Sequence, residues 1–256
     1  MAFNSNFGRA GVQAGVGNLD DGLRTYMCRV FNWMALGLVI TGAVAFAVAE
    51  TTLKALFFHT VALPSGALAV RPTVLGFAAI FAPMAFVMIM SFGINRLSRS
   101  TVQALFIAFS AAMGASLSSI LLSYTGASIA RAFFISAVMF ASMALWGYTT
   151  RKSLAGLGSF LMMGVIGLVV ASLVNIFLHS SAVSMLSSFV GVGVFTLLAA
   201  YDTQRIKVSY QSVAFNYDAD TVARLSIYDA LSMYLNFVNL FQYMLQFFGV
   251  RSSNSE

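Results

Sequence analysis

Two stretches near the carboxyl end carry the side chains able to do chemistry within an otherwise apolar chain: Phe195 to Lys207, FTLLAAYDTQRIK, and Tyr228 to Phe248, YDALSMYLNFVNLFQYMLQFF. Asp202 follows an apolar run that begins near Ala182. A carboxylate at that depth is costly, so it faces a partner or a water-filled cavity, and the chemistry open to it is that of an ion or proton pathway. In the second stretch Tyr228, Ser232, Asn236, Asn239, Tyr243 and Gln246 recur at steps of three and four. They therefore fall along one face of a helix, and such a stripe prefers the middle of a bundle to lipid.

Each of these residues also has a purely structural account. Asp202 sits toward the carboxyl end of its helix, where the macrodipole disfavours a negative charge, and Arg205 three residues on is within reach to compensate. Asn236 and Asn239 can serve as interhelical hydrogen-bonding groups that fix packing, at about 1 kcal/mol per bond.

Other chemistries lack their parts. A retinal Schiff base needs a lysine inside the last span, but Lys54, Lys152 and Lys207 all lie in loops or at helix ends. A serine protease of the membrane needs a serine and a histidine at bundle depth. Ser116 is available, yet His59 and His179 stand at the outer ends of spans. Tyr201-Asp202 has the look of an aspartyl protease pair, but that enzyme needs two carboxylates sharing a proton. Asp229 is expected at a helix start and Asp218 and Asp220 in a loop, so no enzymatic activity is expected.

The elements that must position Asp202 follow from composition. The chain is 59% hydrophobic and 9% charged over 256 residues, which places it among integral membrane proteins. Its net charge of +6 does not point to nucleic acid, because the basic residues lie in short loops between apolar runs and report topology. Cys28 is the one cysteine, so no internal disulfide can form. Residues 1–25, rich in Gly, Asn and small residues, are expected to be a disordered tail and not a cleaved signal peptide.

Seven spans are expected, at about 30–49, 73–94, 102–124, 131–148, 157–178, 183–202 and 230–250, within one domain over 26–250 and ahead of a short tail at 251–256. The loop 51–72 contains Pro64 and Pro72. Pro83 is expected to kink the second span. In the third, Ala111, Ala115 and Ser119 with Gly114 beside them form a small-residue face that admits another helix.

Counted by side, Arg9, Arg24, Arg29, Arg96, Arg99, Arg151, Lys152, Arg205, Lys207 and Arg224 share one face, and Lys54, Arg71, Arg131 and Arg251 the other. The positive-inside rule then makes the amino terminus cytoplasmic in the inner membrane and puts Asp202 near the cytoplasmic end of the sixth span. If the last apolar run re-enters instead of spanning, the carboxyl terminus returns to the cytoplasm.

The run from Gly147 to Lys207, the first-span segment WMALGLVITGAVA and the closing LSMYLNFVNLF resemble the Bax inhibitor-like family (transmembrane Bax inhibitor motif), particularly its bacterial members. The YDTQ-I-K block and the N-L-F ending carry the likeness together, which extends from about Arg24 to Gly249. The resemblance implies an all-α fold of seven transmembrane helices with the last wrapped by the other six. It also implies a pH-sensitive calcium leak latched by two aspartates near the cytoplasmic side.

Asp202 matches the first aspartate, and the second falls at Asn236. An arginine at the end of the second span, which interacts with that pair in the family, corresponds to Arg96. Two close carboxylates share a proton and titrate as a unit. An asparagine cannot, though its amide has the shape of a protonated aspartate and donates a hydrogen bond. The latch is therefore expected to be closed or only weakly pH-dependent, with Tyr201, Ser232 and Asn239 as a supporting polar face. Asp202 alone binds calcium weakly, since that ion seeks six to eight oxygens, and no resident cofactor is expected. Some bacterial relatives regulate a membrane-bound ATP-dependent protease, so the alternative is a non-channel regulator that binds such a protease, with residues 1–25 as its handle.

Overall fold

The computed structural model describes the backbone of residues 6–62, 68–94 and 96–251, and the side chains of 20–59, 61, 71–94, 96–212 and 214–251. Its elements run α1 (Asn6–Glu50), α2 (Lys54–Phe57), β1 (Phe58–Ala62), β2 (Leu68–Pro72), α3 (Val74–Gly93), α4 (Arg99–Ser123), α5 (Gly126–Thr149), α6 (Ala155–Leu178), α7 (Ser181–Asn216) and α8 (Ala219–Phe248). Pro64, residues 1–5 of the expected tail and 252–256 lie outside the described residues.

Among the described residues, six helices are long and apolar enough to cross a membrane: Asp20–Glu50 within α1, and α3, α4, α5, α6 and α7. The fold is thus that of an all-α, multi-pass membrane protein. Helix α8 is as long as these but more polar, because Asn236, Asn239, Gln242 and Gln246 interrupt its apolar run. It compensates by burial: Ile227, Met233, Tyr234 and Leu240 are fully enclosed. The helix packs against α1, α4, α5 and α7, while α3 rests mainly on α4 and α6 mainly on α7. No break interrupts α8. Past its end Arg251 bridges Tyr124, and the Thr125 amide donates to the Val250 carbonyl at 3.1 Å, which pins it to the α4–α5 turn.

Helix starts follow their caps. Thr73, Ser98, Thr125 and Asp218 each stand in extended backbone and accept a hydrogen bond from an amide in the first turn of α3, α4, α5 and α8, satisfying donors that the helix itself leaves free. Close approach is licensed by small residues. A Cβ on Gly114 would lie 2.6 Å from the Thr41 carbonyl of α1, and one on Gly147 would collide with the Ala200 carbonyl of α7. The small-residue face expected on the third span thus meets α1.

Three expectations need correction. Residues 6–25, expected as a disordered tail, belong to α1. From residue 23 onward that helix carries a buried stripe at helical spacing, Leu23, Tyr26, Met27, Val30 and Met34. The loop 51–72 is not structureless, since β1 and β2 pair antiparallel with Phe58 opposite Pro72. The sixth and seventh spans extend well beyond their apolar cores. Helix α7 has 36 residues, about 54 Å at the standard rise, against a hydrocarbon core of about 30 Å.

Candidate functional site: a buried carboxylate between α7 and α8

Asp202 lies 21 residues into α7, about 31 Å from its start, and is 6% exposed. Its Oδ2 accepts from Asn236 Nδ2 at 2.7 Å and from Ser232 Oγ at 2.8 Å, both on α8. Its Oδ1 stands 3.2 Å from Arg205 Nε, and Arg205 Nη2 reaches Ser232 Oγ at 3.4 Å. Burying a carboxylate without partners is prohibitive. Here an amide, a hydroxyl and a guanidinium compensate, the last through a charge-assisted contact. The arginine side chain is 47% exposed, so the cluster runs from a sealed interior at Asn236 to the surface at Arg205.

The surrounding block ties α7 to its neighbours residue by residue. Tyr201 faces α6, its ring against Gly158. Thr203 returns its hydroxyl to the Ala199 carbonyl at 2.7 Å. Gln204 clasps the α5–α6 connection, accepting from the Leu154 amide at 2.6 Å and donating to the Lys152 carbonyl at 2.8 Å. Ile206 is fully buried. Lys207 donates to the Tyr148 carbonyl at 2.6 Å near the end of α5 and lies over the Tyr148 ring, where a cation complements the helix terminus.

The structure brings Asp202, Asn236 and Ser232 together and leaves the other expected site residues apart. Asn239 donates within its own helix to the Leu235 carbonyl at 2.9 Å. Tyr201 turns away toward α6. Arg96 is exposed in the α3–α4 turn, and the arginine at the carboxylate is Arg205. Another, Arg224, holds that turn to α8 through the Leu97 carbonyl at 2.8 Å.

Two further polar residues escape the sequence reading. Asp229 is not at a helix start but is the eleventh residue of α8, and Tyr26 Oη of α1 donates to its Oδ2 at 2.6 Å. The available signal was spacing: Asp229, Ser232 and Asn236 fall at steps of three and four, on one helix face. Among the described residues no three His, Cys, Asp or Glu side chains converge as a metal site. Asp202, with both oxygens engaged, leaves a calcium ion's coordination shell unsupplied.

The family model described as "Inhibitor of apoptosis-promoting Bax1" matches residues 23–253. An uncharacterized protein of Caulobacter vibrioides is 44% identical, over 91% of each chain. The protein RP147 of Rickettsia prowazekii is 41% identical over 91% of this chain and 92% of its own length. The inner membrane protein YbhL of Escherichia coli K12 is 40% identical over 90% and 93%. Family match and relatives together span the Asp202–Asn236 contact and every helix that frames it, so this chain is a bacterial member of the Bax inhibitor family.

Proposed function

We propose that this protein is a calcium or cation leak pathway of the cytoplasmic membrane, in which the Asp202–Asn236 contact is the gate. The observation that carries the reading is a carboxylate buried in a membrane bundle and gripped by two donors from a neighbouring helix. An ionisable group so placed marks an ion or proton route by default. In this reading α8 is the seventh span and the amino terminus is cytoplasmic. The excess of Lys and Arg at the end of the bundle that holds Asp202 supports that orientation, and Gln204 and Arg224 bind the basic α5–α6 and α3–α4 connections to that end.

Asn236 cannot ionise, so the latch keeps its hydrogen bond across the pH range in which an acid pair would lose it. The leak is accordingly small and nearly independent of pH. The test is calcium flux into reconstituted vesicles over a pH series, with wild type and Asp202→Ala side by side. Flux that changes with the substitution supports the gate, and two superimposable profiles sink it.

One observation favours a second reading, that of a regulator docked on a membrane-bound protease. Phe215 and Tyr217, at the far end of the α7 extension, are 72% and 55% exposed. Co-purification of a protease complex, lost on deleting residues 1–25 and indifferent to Asp202→Ala, would select it.

A further inference from the structure

The polar face of α8 does not stop at Ser232. Asp229 stands one turn before it, and the α1 side chain that meets Asp229 belongs to a different environment. Beside it lies a cavity of about 500 Å³ at the surface, lined among others by Asp21, Thr25, Tyr26, Arg29, Tyr210 and Tyr217. Tyr26 forms part of this wall and Asp229 does not. The Tyr26 ring leans on Tyr210 of α7, centroids 5.0 Å apart, and the Tyr210 hydroxyl presses against Gly22 of α1, where a Cβ would collide. Two aromatic rings thus separate an open chamber from a carboxylate whose helix face leads, within two turns, to Ser232, Asn236 and Asp202.

Packing alone does not call for this arrangement. A phenylalanine at 26 against a leucine at 229 would close the same interface without desolvating an acid. The tyrosine hydroxyl adds a contact to Asp229 that anchors the ring, so losing it frees the ring to leave its place. The 2.6 Å hydrogen bond is the only polar side-chain link between α1 and α8 at this level among the described residues.

We propose that Tyr26 is the cytoplasmic closure of the conduction route, its hydroxyl on Asp229 shutting the passage between the surface cavity and the Asp202 cluster. The inference rests on the cation-leak reading and adds to it a second barrier in series, on α1. Tyr26 acts as a positioning residue: the ring fills the passage and the hydroxyl holds it there. A cation entering from the cavity meets Asp229 first, then Ser232 and the Asp202 carboxylate it holds.

The experiment is calcium flux in vesicles reconstituted with wild type, Tyr26→Phe, Tyr217→Phe and Asp202→Ala, all at one pH. Tyr26→Phe removes only the hydroxyl and is expected to raise flux about tenfold, the population shift that one charge-assisted hydrogen bond supports. Tyr217→Phe, which changes the exposed lining of the same cavity and leaves the Tyr26–Asp229 contact in place, is expected to leave flux unchanged. Equal increases in both variants would mean general loosening and overturn the proposal. Wild-type flux in Tyr26→Phe, with Asp202→Ala still altering flux, overturns this inference and leaves the gate standing. Flux that ignores Asp202 as well removes both.

A second measurement holds if flux is too small to resolve. In a Cys28→Ser background, which removes the exposed native thiol, a cationic thiol reagent added from the cavity side should modify Ser232→Cys about tenfold faster when Tyr26→Phe is also present. An unchanged rate would refute the closure.

Discussion

Asn236 Nδ2 lies 2.7 Å from Asp202 Oδ2 across the α7–α8 interface, so the acid of one helix is answered by an amide of the other where a second acid would have to share its proton. The contact is buried on both sides, with Asn236 only 8% exposed. It is closed in the sense that both oxygens of Asp202 are engaged, Oδ2 by Asn236 and Ser232 and Oδ1 by Arg205.

Restoring an acid at this position should restore titration. Asn236→Asp places two carboxylates at hydrogen-bond distance, a pair held together by one proton and driven apart when that proton leaves. Calcium flux in reconstituted vesicles is expected to be lowest while the pair retains its proton and to rise several-fold on the alkaline side of the transition. The wild-type profile stays flat over the same pH series. A flat profile in the variant would count against the latch.

The α1–α4 contact should fail on a single methyl-sized addition. Gly114→Ala sets a Cβ 2.6 Å from the Thr41 carbonyl, which forces the helices apart and costs about 1–3 kcal/mol. Thermal unfolding in detergent measures it. Gly126→Ala, where a Cβ meets nothing within 4 Å, is the matched control and should not lower the melting temperature.

Gln204→Ala should free the α5–α6 connection without disturbing Asp202. It deletes two hydrogen bonds, one that Oε1 accepts from the Leu154 amide and one that Nε2 donates to the Lys152 carbonyl. Local opening then becomes about thirtyfold more frequent, on about 1 kcal/mol for each of the two bonds. Hydrogen exchange at the Leu154 amide reads this directly, and unchanged protection would show that the clasp is incidental.

At the start of α8, Asp218 caps the helix by accepting from the Asp220 and Thr221 amides at 3.2 and 3.3 Å. Hydrogen bonds from Thr221, side chain first and then backbone, hold its carboxyl below the usual carboxylate range. A group depressed in the folded state stabilises it fully above the unfolded value, and that contribution is lost as pH falls through the folded one. Exchange protection of the first turn of α8 should therefore persist into mildly acid conditions and decline only below the ordinary carboxylate range. Asp218→Asn, which keeps an acceptor but no titratable proton, should flatten the decline.

How much of this was legible in the sequence depended on which rule governed each residue. Asp202 and Asn236 were legible because a carboxylate and an amide set in apolar runs have few places to go but toward each other. The span cores were legible for the same reason. Asp229 was missed because hydropathy starts the last span at about 230, whereas the Asp218 cap starts the helix eleven residues earlier, beyond any lipid and therefore beyond the reach of a hydropathy rule. Arg205 was visible as the neighbour of Asp202 at three residues' distance, while Arg96 was expected on the strength of resemblance. The register of α3 leaves Arg96 in an exposed turn. The β1–β2 hairpin offered only short apolar segments around Pro64, a pattern that strand and loop share.

The block from Gln204 to Lys207 makes the two halves of the gate mechanically unequal. Helix α7 is bolted to the α5–α6 connection by Gln204 and to α5 by Lys207, so turning it about its axis would tear three hydrogen bonds before Asp202 moved. Among the described residues, helix α8 has beside Asn236 one such tie to a helix other than α7, the contact of Tyr234 Oη with Thr41 Oγ1 of α1 at 2.6 Å. Any parting of the pair must begin with a tilt or slide of the last helix against a fixed post, and a spectroscopic ruler placed between α5 and α7 would stay still while one between α7 and α8 lengthened.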